Sequence, residues 1–178
     1  VKNMFPPEKV TQIGPDQRIV PSLGYVAAAV AVAVNEKTGR VRVLKVVVAM
    51  DVGKAINPSG IVGQVQGGAV MGLGGCLRER VILRDGVIQN DNFDGYHMPR
   101  TTHVPPIETI IVEVPDLLGP MGAKGIGELP VVPIAPAVLN AIRDAVGVDL
   151  EEIPVRAEDI RREMLGKENN ESRTPSDE

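Results

Sequence analysis

A chain of 178 residues with 43% hydrophobic side chains accommodates one domain, or one piece of a larger one, with a real core. Aromatics make up 2% and Trp is absent, so that core must be built from Val, Ile, Leu and Ala. A net charge of −4 argues against a non-specific nucleic-acid binder, and Cys76, alone, excludes an internal disulfide or a four-cysteine metal site.

The first 22 residues carry Pro6, Pro7, Pro15 and Pro21 with little periodicity and read as an N-terminal arm. Residues 25–35 are rich in Ala and Val, and residues 40–50 in β-branched side chains. The loop between them ends in Gly39, which can supply a positive φ, so a hairpin is expected. Both strands are apolar almost throughout, and both faces are expected to be covered. Asp51-Val52-Gly53 breaks the second strand, and Asn57-Pro58-Ser59 has the cap and early proline of a helix start. Residues 61–77 are helical in period yet hold Gly63, Gly67, Gly68, Gly72, Gly74 and Gly75. Each interior glycine costs roughly 0.5–1 kcal/mol relative to alanine. That load suits a helix pressed against another backbone or a bulky ligand.

Further on, Asp85-Gly86 is the strongest short hairpin signal in the chain. Residues 107–114 alternate as a strand, and residues 120–130 form a glycine-rich loop. Residues 134–146 predict a helix with Val138, Leu139, Ile142 and Ala145 on one face and Gly147 at its stop. A short third helix is expected over 157–165, its charges forming a solvated face. The polar tail 166–178 lacks apolar anchors and is expected to be disordered. No apolar run is long enough to cross a bilayer and no targeting signal is seen, so a soluble cytoplasmic protein is expected.

Two glycine-rich stretches could carry chemistry: Gly63-Gln64-Val65-Gln66-Gly67-Gly68 and Gly122-Ala123-Lys124-Gly125-Ile126-Gly127-Glu128. Glycines let backbone N–H groups approach a ligand closely. Glu128 follows them directly, ahead of an apolar stretch. A carboxylate desolvated by an apolar wall becomes a better general base near neutral pH. The competing reading is a helix-start glutamate that favours the helix dipole. Neither stretch matches a Walker or dinucleotide fingerprint. His97 and His103 are too few and too far from other ligands to build a metal site, and Cys76 reads as packing. Asp51 and Asn57 read as turn and cap residues.

Taken together, Ala49-Met50-Asp51-Val52-Gly53-Lys54-Ala55-Ile56-Asn57-Pro58, the two glycine stretches, Met71-Gly72-Leu73-Gly74, Met98-Pro99 and Ile153-Pro154-Val155 strongly resemble the molybdenum hydroxylases of the xanthine dehydrogenase/aldehyde oxidase type. The resemblance covers residues 23–160 in order. It implies an α+β piece of the molybdopterin-binding domain, with a mixed or antiparallel sheet and two main helices, over residues 23–165. It implies Glu128 as catalytic base in oxidative hydroxylation of an aldehyde or N-heterocycle, and Gln64 as a pterin contact. It implies that Gly122, Ala123, Lys124, Gly125 and Gly127 line the cofactor site. No side chain here is implied as a metal ligand, because the pterin dithiolene holds molybdenum. The cofactor is a molybdenum–molybdopterin, bare or as the cytosine dinucleotide. Iron–sulfur clusters and FAD are expected on partner chains, beside a larger molybdenum-binding chain, with no nucleic acid and no membrane. The family's subunit is several times longer, so the isolated chain is expected to be inactive. A non-catalytic assembly module is the alternative. Met71 departs from a frequent glutamine, Gly95 from a frequent acidic residue and Leu129 from a frequent proline.

Overall fold

The computed structural model describes residues 23–117 and 119–171, with side chains to residue 166. The expected N-terminal arm over 1–22 lies outside the described residues. Strands β1 (Val26–Val34) and β2 (Val41–Asp51) form the expected antiparallel hairpin, with Gly39 at φ 70° in its loop. The register shifts between Ala31 and Val32, where Leu44 is the extra residue on β2. The sheet is completed by β5 (Ile107–Val112), which runs parallel to β2, giving the order β1-β2-β5. The Asp85-Gly86 turn joins β3 (Leu83–Arg84) and β4 (Val87–Ile88) in a separate two-stranded ribbon. The short α2 (Phe93–Tyr96) follows it.

Two helices lie against one face of the three-stranded sheet. Helix α1 (Pro58–Leu77) contacts β2 and β5, and α3 (Ile134–Val146) contacts β1. Val46, Val48 and Met50 of β2, Val65 and Ala69 of α1, and Ile134, Val138 and Ile142 of α3 are completely buried. Val138, Leu139 and Ile142 face inward or partly inward as expected, but Ala145 is exposed. Gly147 ends α3 at φ 71°. The stretch Leu129–Val146 has a mean hydropathy of 1.4. It is not one helix but a 3-10 turn, Leu129–Val131, followed by α3, whose apolar face packs on the sheet and α1.

Two expectations are qualified. Among the described residues the hairpin is covered on one face: Ala27, Ala29, Ala31 and Ala33 point outward and are exposed there, while Val30, Val32 and Val34 turn inward. Alanine and valine both count as apolar, which hid a period-two alternation of small and branched side chains. Over 166–171 the tail is helical, because α4 runs over Ala157–Glu171; the rest of the expected tail, 172–178, lies outside the described residues. Once its first turns are nucleated, Glu and Lys, which are good helix formers, carry it past Gly166 and the two asparagines.

The glycines of α1 divide by what surrounds them. A Cβ on Gly72 would stand 2.7 Å from Ile134 Cβ, and one on Gly68 2.8 Å from Pro130 Cβ. These two let α3 and the 3-10 turn close onto α1. At Gly63, Gly67 and Gly75 a Cβ would meet nothing within 4 Å. The expected close packing of the glycine helix therefore holds for one side of it. A paired measurement separates the two sides. Gly72→Ala is expected to lower stability in urea unfolding by about 1–3 kcal/mol through overpacking. Gly63→Ala is expected to raise it by about 0.5–1 kcal/mol, the helix-propensity difference. Equal effects at the two positions would contradict this division.

Candidate functional site

Helix α1 opens on Asn57, whose Oδ1 accepts the Gly60 N–H at 3.1 Å, with Pro58 at the first turn. Gln64 projects from its exposed side, and Gln64 Nε2 donates to the carbonyl of Gly127. The two glycine-rich stretches, read separately along the sequence, thus meet. Glu128 is the next residue. It begins the 3-10 turn Leu129–Val131 without using its side chain as a cap. Its carboxylate has no hydrogen-bond or ion-pair partner among the described residues. Leu129 and Pro130 beyond it are part-buried and buried, but Glu128 itself is exposed. The apolar wall expected to strip water from it is therefore not supplied by the described residues.

Upstream, the loop is stitched to the end of β2. Gly53 and Ala123 form an antiparallel bridge, Lys54 N–H donates to Gly122 O at 2.7 Å and Lys124 N–H to Val52 O at 3.0 Å. Gly53 sits at φ 65°, where a Cβ would lie 2.3 Å from Gly122 O, so only glycine serves there. The N–H groups of Gly122 and Ala123 turn back to Gly119 O and Pro120 O. Those of Gly125, Ile126, Gly127 and Glu128 have no acceptor among the described residues. Of the expected cofactor-lining positions, Gly125 and Gly127 thus present free donors, whereas 122–124 spend theirs within the chain.

The Lys124 side chain is also spent. Its Nζ lies 2.6 Å from Asp51 Oδ2, with both side chains less than a tenth exposed, and 5.9 Å from the Tyr25 ring centre. Asp51 Oδ1 accepts the N–H of Gly53 at 2.9 Å and of Val114 at 3.2 Å. Burial pushes the Asp51 carboxyl up, but the Lys124 ammonium and these two N–H donors outweigh it and hold the carboxyl below its ordinary range. This pair was missed in the sequence. The available signals were one acid ending an apolar strand and one lysine among glycines, which local patterning cannot join. Nearby, Glu113 accepts the Ala55 N–H at 2.8 Å and pairs with Lys54, and both lower its carboxyl.

A shallow cavity of about 220 Å³ opens between the first turn of α1 and this loop, bounded by Ile56, Gly60, Ile61, Ala123 and Ile126. A larger one of about 590 Å³, bounded by Arg42, Leu73, Arg78 and His103, contains none of the expected site residues. His103 Nδ1 accepts the Arg100 N–H, and His97 closes α2 at φ 65°, so each has a structural place. Cys76 is buried in the core, which raises its thiol to about 11. No group of three His, Cys, Asp or Glu side chains among the described residues could hold a metal ion.

The family model of the molybdopterin cofactor-binding domain matches residues 3–105. This chain belongs to that family. It is 36% identical over 136 residues to a probable xanthine dehydrogenase subunit of Bacillus subtilis (strain 168), covering 75% of this chain and 18% of that protein. It is 35% identical over 116 residues to the xanthine dehydrogenase molybdenum-binding subunit of Escherichia coli O157:H7, covering 64% of this chain and 15% of that protein. Among solved structures, quinoline 2-oxidoreductase from Pseudomonas putida 86 superposes with a TM-score of 0.71 at 33% identity, over 75% of this chain and 18% of that one. The chain thus spans less than a fifth of the length of these molybdenum-hydroxylase relatives. The α+β architecture, with its mixed sheet, is that of the family's molybdopterin-binding domains.

Proposed function

We propose that this chain is the part of a molybdenum hydroxylase that carries the general base, Glu128, and one wall of the cofactor site. The observation that carries the reading is the bond from Gln64 to the Gly127 carbonyl, which sets the glycine face of α1 beside a carboxylate with no partner among the described residues. The donor chemistry fits a molybdenum–pterin cofactor. Four successive N–H groups at 125–128 lack an acceptor among the described residues, and Gln64 keeps its Oε1 free of any such bond there. Backbone could approach closely at Gly63, Gly67, Gly125 and Gly127, where a Cβ would touch nothing. Gln64, Gly125 and Gly127 would hold the cofactor. Gly122, Ala123 and Lys124 would shape the loop from behind.

When bound, the cofactor supplies the two-electron oxidation. Glu128 Oε takes up the proton released as the substrate carbon is hydroxylated. Water is excluded from Glu128 by the remainder of the subunit, which packs over the loop and over the exposed alanine face of β1. The substrate class is an N-heterocycle or an aldehyde. The pterin is bare or carries a cytosine nucleotide, and iron–sulfur and flavin centres on partner chains take the electrons.

Co-expression with the rest of the molybdenum-binding subunit tests the proposal. Molybdenum, pterin and hydroxylase activity are expected only in the assembled protein. In that assembly Gln64→Leu removes the bond that Oε1 would accept from the cofactor, about 0.5–1.5 kcal/mol, together with the Nε2 bond to the Gly127 carbonyl, so cofactor retention is expected to fall by at least roughly 2–12-fold. An assembly that loads molybdenum and hydroxylates equally well without residues 120–131 would leave only the role of a packing module.

A further inference from the structure

We infer that the buried Asp51–Lys124 ion pair positions the Glu128 loop, so that both residues act on the reaction through Glu128 without touching substrate. The inference rests on the reading of Glu128 as the base. One carboxylate gathers three separate segments: the turn after β2 through the Gly53 N–H, the end of β5 through the Val114 N–H, and the loop through the Lys124 ammonium. The flanking backbone bonds, Lys54 N–H to Gly122 O, Asp116 N–H to Gly122 O and Lys124 N–H to Val52 O, surround the same point. An apolar pair could fill the space. It would offer no acceptor to the two N–H groups and no fixed direction to the loop.

Between Lys124 and Glu128 the chain is held by Ile126, which packs half-buried against the edge of the core, and at the Gly127 carbonyl. Gly125 and Gly127 touch nothing at the Cβ position, and Glu128 comes one residue later. On the far side Pro130 packs against Gly68 and Leu129 against Gly24, and Gln64 holds the Gly127 carbonyl. Glu128 thus stands between a packed anchor downstream and, upstream, the ionic anchor at Lys124 with the partial packing of Ile126. Each residue spans roughly 3.3–3.6 Å of extended chain, so a loop released at residue 124 and steadied only by Ile126 and Gln64 lets Glu128 shift by about an ångström. A misplacement of about 1 Å can cost on the order of 10²-fold in rate.

Asp51→Asn tests this, because it keeps the shape and an oxygen for the two N–H groups while removing the charge. Amide exchange at Lys54, Asp116 and Lys124 is expected to rise about 10-fold or more, while Val138 and Ile142 of α3 stay protected. In the assembled hydroxylase kcat is expected to fall about 10–100-fold with KM and molybdenum content little changed. Added to Glu128→Gln, the same substitution is expected to cost nothing further, because its effect runs through a carboxylate already removed. Unchanged exchange around the loop overturns the inference, and so does a kcat loss that multiplies in full with that of Glu128→Gln. If Glu128→Gln alone keeps its activity, the base reading fails, and the exchange data decide by themselves whether the pair orders the loop. Should Asp51→Asn raise exchange throughout the chain, Lys124→Gln is measured in its place. Loss of protection that is again global would reduce the pair to a purely structural role.

Discussion

Glu128→Gln is expected to lower kcat of the assembled hydroxylase by about 10²–10⁴-fold, the usual contribution of a general base. Molybdenum and pterin content should not change. The argument starts from what the side chain does not do. It is exposed, has no partner among the described residues and does not cap the turn it begins. Glutamine has the same shape, so neither loop nor core has a reason to move, and stability should stay within about 0.5 kcal/mol. A loss confined to kcat at unchanged KM removes an interaction made only in the transition state. Metal analysis, thermal unfolding and steady-state kinetics on one preparation separate these quantities. Activity within a few-fold of the parent would remove Glu128 from the role of base.

Asp51→Ala is expected to be the most damaging single change to stability among those considered, at about 3–5 kcal/mol. It strands the Lys124 ammonium, whose side chain is 8% exposed, and leaves the Gly53 and Val114 N–H groups without their acceptor. Domains of this size are commonly stable by about 5–15 kcal/mol, so the loss is a large share of the total. In urea the midpoint should fall with little change in slope. The Lys45–Glu108 pair is the internal control. Its separation is also 2.6 Å, but both side chains are half exposed, and Glu108→Gln should cost no more than about 1 kcal/mol.

Acid supplies a second readout of the same residue. The folded Asp51 carboxyl titrates below its unfolded value. Its stabilisation is therefore complete above the ordinary carboxylate range and is lost as pH falls through the folded value. The parent should lose stability on acidification more steeply than Asp51→Ala. The residual slope of the variant would come from Glu113 and Asp159, which are also held low by their partners. Parallel acid curves for parent and variant would mean that the ion pair contributes nothing.

Local chemistry was legible without coordinates. Turn residues announced both hairpins, and Gly39, Gly86 and Gly147 all take the positive φ that their positions required. The stop after residue 146 follows from Gly147, and the inward face of α3, Ala145 excepted, from a 3.6-residue period. Motif order likewise pointed to the family before any structural comparison. The alternation of small and branched side chains along β1 went unread because alanine and valine were treated alike. The helical residues 166–171 were read as tail because composition says little about a helix already nucleated upstream.

By itself, then, the sequence determined the hairpins, the main helices, the family and the identity of Glu128 as the acid to question. Each of these depends on side chains within a few residues of one another or on an ordered string of motifs. Only the tertiary structure decided that β5 runs parallel beside β2, that Gln64 reaches Gly127, and that Asp51 takes Lys124 as its partner. The last two pairs lie 63 and 73 residues apart. Their meeting depends on how α1 and the loop pack around one sheet, and no local propensity encodes that.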